Sequence, residues 1–189
     1  MRIISGKSKG TKLYTLEGLN TRPTLDRVKE SLFSIIQYKL INATVLDLFS
    51  GSGALAIESL SRGAKKAILC DNNYESINII KKNIEKCHVE NSTEIIHKDY
   101  KKCLEQINEK VDIIFIDPPY QKNIAVNSIK IIMEKEILNE DGLIVLETDE
   151  EQREIEQLEN IKNINIQDLR RYGRVKILFL NQKKEFEEQ

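Results

Sequence analysis

Four consecutive residues, Asp117-Pro118-Pro119-Tyr120, follow an apolar stretch and have the composition of a loop that holds an amine. Two adjacent prolines supply no backbone N–H, so the loop offers acceptors: the Asp117 carboxylate and the Pro118 carbonyl. Hydrogen bonds from both N–H groups of the amine to these acceptors would turn the nitrogen lone pair out of conjugation with the ring. The Tyr120 ring could stack on a planar base or amide. We predict Asp117, Pro118 and Tyr120 as catalytic residues acting on an amino group, with Pro119 and Tyr120 contacting the substrate. The alternative is a turn of this composition without catalytic function.

A second group of residues predicts a cofactor pocket. In the segment VLDLFSGSGALA, Gly51 and Gly53 allow a sharp turn and close approach of a ligand to the N-terminus of the following helix. The glycines fit NAD and S-adenosylmethionine (SAM) equally well. Asp47 favours SAM, because its carboxylate suits the cationic amino-acid end of that cofactor and would repel a pyrophosphate. A tight turn without a ligand is the structural alternative.

Two further aspartates end the next two predicted strands. Asp71 follows Gly51 by 20 residues, the separation at which an acidic residue meets ribose hydroxyls in folds of this type. Asp99 could accept a hydrogen bond from the adenine amino group. Each aspartate could instead start or cap the helix that follows it. We assign both to the cofactor site, together with the neighbouring residues Phe49, Asn72 and Tyr100.

Charge is distributed unevenly along a chain whose net charge is −1. Residues 1–30 carry seven Lys/Arg against three Asp/Glu, whereas residues 131–189 carry nine against fifteen. A basic arm on a near-neutral body suits a polyanionic partner at one end of the molecule, although a solvated lysine-rich hairpin would have the same composition. The candidate contacts to nucleic-acid phosphate in this arm are Lys7, Lys9, Lys12 and Arg22.

Composition excludes several classes of protein. The chain has 189 residues, of which 40% are hydrophobic and only three are proline; this is typical of one packed domain rather than a disordered or collagenous chain. No apolar run approaches the length of a membrane span and no apolar signal core follows Met1, so we expect a cytoplasmic protein. Three widely spaced cysteines and two isolated histidines predict neither a disulfide framework nor a metal site. We expect a monomer.

The pattern of elements predicts an α/β fold. From Thr44 onward, runs of β-branched residues alternate with amphipathic helices, which indicates a mainly parallel sheet covered on both faces. Residues 163–169 and 175–180 form the last two predicted strands, and the short link at 170–174 requires them to pair antiparallel. We therefore predict a seven-stranded, Rossmann-like sheet with an antiparallel last strand. Residues 1–22 form a separate hairpin arm, and residues 23–189 form the main domain.

Together, DLFSGSG, Asp71, Asp99 and DPPY resemble the SAM-dependent methyltransferases that act on amino groups. The segments MRIISGKSKGTKL, RPTLDRVKESLFSII, VLDLFSGSGALAIESLSRGA and GLIVLET narrow the resemblance to the RsmD family, which methylates the exocyclic N2 of a guanine in small-subunit ribosomal RNA. The resemblance covers most of the chain. It implies that Asp117 and Pro118 hold the guanine amine, Tyr120 contacts the ring, and Asp47, Gly51, Gly53 and Asp71 bind SAM.

Three other functions use related chemistry. An adenine-N6 DNA methyltransferase would need a target-recognition domain, for which the chain has no room, and a glutamine-N5 methyltransferase would be expected to carry an N-terminal helical domain. A non-catalytic nucleotide-binding module is the third alternative. The resemblance favours ribosomal RNA, or the assembling small subunit, as the partner.

Overall fold

The computed structural model describes residues 1–16, 23–119 and 123–183. Its centre is a seven-stranded sheet in the order β3-β2-β1-β4-β5-β7-β6. The strands are β1 (Thr44–Asp47), β2 (Lys66–Asp71), β3 (Thr93–His97), β4 (Val111–Ile116), β5 (Leu138–Thr148), β6 (Ile164–Tyr172) and β7 (Val175–Gln182). β7 pairs antiparallel with both β5 and β6, whereas the other pairs are parallel. The predicted sheet is confirmed.

The described ranges contain six α-helices; the first precedes β1, and the other five connect successive strands. They are α1 (Pro23–Ile36), α2 (Ala54–Ser61), α3 (Tyr74–Cys87), α4 (Tyr100–Gln106), α5 (Ile124–Glu134) and α6 (Glu151–Leu158). Short 3₁₀ turns lie at Gln37–Lys39 and Glu90–Ser92. Polar caps fix two helix starts, since Asn73 accepts from the first turn of α3 and Asp99 accepts from the first turn of α4.

The alternation of side chains along each strand divides the core between the two faces of the sheet. On one face, buried residues such as Leu46, Ile116 and Leu146 pack with α4, α5 and α6. On the other face, Val45, Phe115 and Val145 pack with α1, while Ala67 and Leu69 pack with α2 and α3. Both faces are therefore covered, and the loops at the strand ends remain available for a site.

Local backbone geometry sets two element boundaries. α5 ends at Glu134, because Glu136 has a left-handed backbone (φ 52°) and turns the chain so that Ile137 is buried ahead of β5. β6 continues through Arg170 and Arg171 to Tyr172. The link to β7 is therefore a tight turn at Gly173 (φ 65°) rather than the whole of 170–174.

The described part of the N-terminal arm, residues 1–16, forms a short hairpin with one antiparallel bridge between Arg2 and Lys12. Its apolar side chains Ile3 and Leu13 are buried against α2 and α3. The backbone N–H groups of Ile4 and Ser5 donate to the two carboxylate oxygens of Glu58 on α2, at 2.8 and 3.0 Å. The arm is thus packed on the body of the domain along its described length.

Two smaller findings complete the fold. Cys70, Cys87 and Cys103 are free and buried. Within the described residues, no helix is long and apolar enough to cross a membrane.

Candidate functional site

The carboxyl ends of β1 and β4 form the centre of the candidate site. These strands are neighbours in the sheet, yet their following segments lead to different helices, and open α/β sheets bind ligands at such a point. Asp47 ends β1 and pairs in register with Phe115 of β4. Asp117 lies two residues beyond Phe115, so the predicted cofactor loop and the Asp-Pro-Pro loop leave the sheet side by side.

The glycine loop has the backbone that its sequence predicts. Gly51 (φ 55°) and Gly53 (φ 76°) are both left-handed. A Cβ on Gly53 would lie 2.9 Å from a methyl group of Leu69, whereas a Cβ on Gly51 would meet no atom within 4 Å. Gly53 therefore allows the close packing of α2 on the sheet, and Gly51 borders open space where a ligand can approach.

Asp47 is the buried polar group of this loop. It is 2% exposed, accepts a hydrogen bond from the Ala56 N–H, and has one oxygen, Oδ2, without a partner within the described residues. Burial, with smaller contributions from the Asp117 and Asp71 charges, raises the pKa of Asp47 to about 7. A buried carboxylate with a free oxygen is matched to a cationic donor such as the amino group of SAM.

Asp71 holds the glycine loop against β2. Its Oδ2 accepts from the Gly51 N–H at 2.8 Å and its Oδ1 accepts from the Asn73 N–H at 2.8 Å. Each oxygen keeps a second lone pair, so a contact to ribose remains possible in addition to this structural role. Asn72 is exposed beside it. The ribose contact stays a prediction.

The predicted adenine side of the site contains a capping aspartate and two aromatic rings. Asp99 accepts from the backbone of Lys101 and Lys102 through Oδ1, which is the helix-capping alternative. The rings of Phe49 and Tyr100 lie 5.8 Å apart. They are half-buried and flank the cofactor loop, so their role at adenine stays a prediction.

The Asp-Pro-Pro loop borders a cavity of about 430 Å³, which we call the target cavity. Its walls come from this loop, the ends of β5 and α5, α6 and the β6–β7 turn: Asp117, Pro118, Pro119, Ala125, Glu147, Thr148, Asp149, Glu150, Arg153, Glu154, Arg174 and Val175. Asp117 is partly exposed and lines this cavity. The protein packed around its carboxyl group removes water from it, and this burial raises the pKa of Asp117 to about 6. Tyr120 lies outside the described residues.

Glu147, the next-to-last residue of β5, lies beside Asp117 and was not predicted from the sequence as a site residue. Burial and the Asp117 charge raise the pKa of Glu147 to about 8. Its signal in the sequence was a lone acidic residue that directly follows the buried residues 142–146 in the segment GLIVLET. That signal gains meaning only from the sheet register, which pairs Ile116 with Leu146 and so aligns the residues that follow.

The basic residues of the predicted RNA surface differ in their surroundings. Lys7, Lys9 and Lys12 are exposed, and none forms an ion pair within the described ranges. Arg22 lies outside those ranges. Arg170 and Arg171 are paired with Asp168 and Glu151, respectively, whereas Arg174 lines the target cavity and has no acidic partner in the described part of the chain.

Within the described residues, no cluster of acidic, His or Cys residues has the arrangement of a metal site.

Comparisons with known proteins agree with this architecture. Residues 1–181 match a family described as Conserved hypothetical protein 95. The Bacillus subtilis protein YlbH is 36% identical over 176 residues, 92% of this chain and 94% of that protein. Ribosomal RNA small subunit methyltransferase D of Haemophilus influenzae is 37% identical over 155 residues, 80% of each chain. The Escherichia coli protein yhhF superposes with a TM-score of 0.83 at 25% identity, covering 97% of this chain and 98% of that one.

Proposed function

The chain belongs to the RsmD family of ribosomal RNA small subunit methyltransferases, and from this membership we propose that it methylates the exocyclic N2 amine of a guanine in small-subunit ribosomal RNA with SAM as the methyl donor. The methyltransferase activity on ribosomal RNA is the coarser part of this proposal and rests on the relatives. The choice of guanine N2 is the finer part and rests on the chemistry of the site.

One observation carries the proposal: Asp47, with its unpartnered oxygen, and the acceptor loop at Asp117 lie at the carboxyl ends of the neighbouring strands β1 and β4. The first suits the cationic end of a cofactor and the second suits a neutral amine. A methyl donor and an amine acceptor would thus meet at the same edge of the sheet. This proximity of two reactants is the main requirement of a group transfer.

The residues present fit SAM. Asp47 would hold the amino group, the loop at Gly51 would lie along the amino-acid end, and Asp71 would add a ribose contact. The cofactor supplies an electrophilic methyl group on a positively charged sulfur. Phe49, Tyr100, Asn72 and Asp99 are proposed at the ribose and adenine end, where the half-buried rings limit water access.

Asp117 has two tasks in the proposed reaction. A guanine amine is a weak nucleophile because its lone pair is delocalised into the ring. Asp117 and the Pro118 carbonyl therefore first accept hydrogen bonds from its two N–H groups and orient the nitrogen. Methyl transfer forms the C–N bond and breaks the C–S bond, which leaves the nitrogen positively charged. Asp117 then accepts the proton that the nitrogen releases, giving the neutral methylated amine.

The target base must leave its stack to reach this edge of the sheet, which costs a few kcal/mol. We propose that Tyr120 offsets part of this cost by stacking. Phosphate contacts from Lys7, Lys9, Lys12, Arg22 and Arg174 would position the RNA without reading its sequence. Naked RNA and the assembling small subunit are both compatible with these contacts, and we propose that the protein acts as a monomer in the cytoplasm.

A labelling experiment tests the proposal. The protein is incubated with radiolabelled SAM and, separately, with small subunits, ribosomal RNA, DNA and protein fractions from cells lacking it, and the labelled nucleotide is identified by mass spectrometry. We expect N2-methylguanine in small-subunit RNA. Asp117→Ala should abolish labelling while SAM affinity measured by calorimetry is retained. Label on adenine N6 or on glutamine, or wild-type single-turnover rates in Asp117→Ala, would contradict the proposal.

A further inference from the structure

Glu147 occupies a position in the site that mirrors that of Asp117. Ile116 of β4 pairs with Leu146 of β5, so the two acidic residues are the next pair along adjacent parallel strands. Side chains alternate along a strand, and Phe115 and Val145 lie on the same face of the sheet. Asp117 and Glu147 therefore start from the same face at the same edge, and both line the target cavity.

The remaining groups of the cavity leave Glu147 available to a ligand. Glu150 is neutralised by Arg153, and Asp149 is exposed at the rim. The Glu147 side chain makes no hydrogen bond or ion pair within residues 1–16, 23–119 and 123–183. Behind it, Glu154 of α6 is 7% exposed and has an oxygen, Oε2, without a partner in those ranges. The cavity also holds Arg174, which has no acidic partner in the described residues, but no hydrogen bond or ion pair joins it to Glu147 or Glu154 there, so both acidic groups keep acceptor capacity for a ligand.

The exocyclic amines of the nucleic-acid bases have different neighbours. The guanine N2 amine adjoins the ring N1–H, so this edge presents three donor hydrogens in a row. The adenine N6 and cytosine N4 amines instead adjoin a ring nitrogen that accepts. A wall with Asp117, the Pro118 carbonyl and a further carboxyl beside them is matched to three donors rather than two.

We propose that Glu147 accepts a hydrogen bond from the ring N1–H of the guanine whose amine is held by Asp117, and that this contact selects guanine over bases whose ring nitrogen is an acceptor. This inference rests on the proposed function and names the specificity-determining residue of the same site. Without this contact, the amine pocket would accept any exocyclic amine of suitable size.

The electrostatics of the cavity agree with this role. Burial and repulsion from the neighbouring Asp117 charge raise the pKa of Glu147, because ionising both adjacent acidic groups is unfavourable when no donor is present. A bound N1–H relieves that repulsion. The Glu147 carboxyl group can accept the N1–H hydrogen bond whether it is ionised or protonated, because at least one of its oxygens has lone pairs available in each form.

The test exchanges the ring N1–H for an acceptor while keeping the amine. The nucleotide labelled by the wild-type protein is replaced by 2-aminopurine, which has the 2-amino group but an unprotonated N1, in a ligated ribosomal RNA assembled into small subunits. Single-turnover kcat/KM is measured on the guanine and 2-aminopurine particles. The wild-type protein should prefer guanine by at least tenfold.

Glu147→Gln places an amide N–H where 2-aminopurine has its acceptor, so this variant should lower the preference for guanine at least tenfold. Glu140→Gln, an exposed change at the other end of β5, should keep the wild-type ratio. The ratio for one protein cancels any loss of folded protein, and the comparison of the ratios of wild type and variant cancels any difference in intrinsic reactivity between the two bases. Calorimetry with SAM and thermal melting verify that both variants are folded.

The outcomes separate this inference from the function on which it rests. Wild-type label at guanine N2 with equal use of both bases, or an unchanged ratio in Glu147→Gln, would overturn the role of Glu147 and leave the proposed function intact. Label at adenine N6 or on protein would overturn both. A ratio that falls only in Glu147→Gln supports the N1–H contact.

Discussion

Three carboxyl groups follow one another across the strand ends at the candidate site: Asp47 on β1, Asp117 after β4 and Glu147 on β5. We call them the carboxyl row. Each has a raised pKa, and burial is the first cause in every case. Charges placed this way are unfavourable in the ligand-free protein, and they become favourable when a cationic cofactor and an amine occupy the edge.

At Asp117 the raised pKa predicts a pH dependence of the chemical step. The ionised form of Asp117 accepts hydrogen bonds from the amine and, after methyl transfer, accepts its proton. The single-turnover rate should therefore rise with pH through about 6 and level off above it. The measurement is a rate–pH profile from pH 5 to 8 at saturating SAM. Asp117→Asn keeps an acceptor oxygen but cannot titrate, so it should be slower and lose this rise. A flat wild-type profile would contradict the assignment.

At Asp47 the buried oxygen predicts opposite effects on stability and binding. Asp47→Asn removes a buried charge, so the ligand-free protein should become more stable at pH 8 by about 1 kcal/mol. The same change should weaken SAM binding by about 1–3 kcal/mol, because it removes a charge-assisted hydrogen bond. Urea unfolding and calorimetry measure the two effects, with Glu140→Gln as the control. Unchanged SAM affinity would remove Asp47 from the cofactor site.

Among the elements, the N-terminal arm is fixed by one buried carboxylate. Glu58 is completely buried, accepts from the backbone of Ile4 and Ser5, and pairs with Lys29 at 3.1 Å and Arg62 at 2.7 Å. Such a fully satisfied group is costly to disrupt, because removing one partner leaves a buried charge unpaired. Deleting the arm would also expose Ile3 and Leu13, so truncation tests folding together with RNA binding.

Charge substitutions test the arm more cleanly than deletion. Lys7, Lys9 and Lys12 are exposed, so replacing all three by serine should leave the melting temperature and SAM affinity unchanged. We expect weaker RNA binding and a shallower salt dependence, with the slope reduced by about one unit for each RNA phosphate that the protein no longer neutralises. Filter binding at several salt concentrations measures both. Lys81 and Lys82, exposed on α3, provide a control pair. Normal RNA affinity in the triple variant would make the arm purely structural.

The elements also show what sequence can and cannot predict here. Local pattern was sufficient for the sheet, because runs such as Val111–Ile116 are rich in β-branched residues and two of the helices between the strands, α3 and α4, carry their own caps. The loop at Asp117 was recognisable since its chemistry lies in adjacent residues. Glu147 was missed because it joins Asp117 only through strand register, and Glu58 was missed because the backbone groups that it binds, at Ile4 and Ser5, lie 54 and 53 residues away.

For the whole molecule, the carboxyl row predicts that stability falls as pH rises. Each of the three groups has a higher pKa in the folded state than in the unfolded chain. The folded state therefore binds more protons between about pH 4 and 8, and its advantage is lost as pH rises through the folded pKa values. Because Asp117 is exposed and solvent screens its charge, we assign the effect mainly to Asp47 and Glu147 and expect a loss on the order of 2–4 kcal/mol between about pH 5.5 and 8.5.

Urea unfolding of the ligand-free protein across this range measures the effect, and saturating SAM should reduce it. Asp47→Asn should flatten part of the curve, because one of the three groups no longer titrates. A stability that is constant or rises across the same pH range would show that the carboxyl row is better solvated than the structure indicates.

The order of the strands also governs how the protein emerges during synthesis. β1 is made first and lies third in the sheet, so β2 and β3 can add to one side of it as soon as they leave the ribosome. The other edge of β1 waits for β4, which is separated from β1 by three α-helices and two strands along the chain. A half-sheet with one open apolar edge therefore precedes the complete sheet, and such an edge is a template for pairing with another chain. The nascent half-domain is thus the stage at which this protein is most exposed to aggregation and to chaperones.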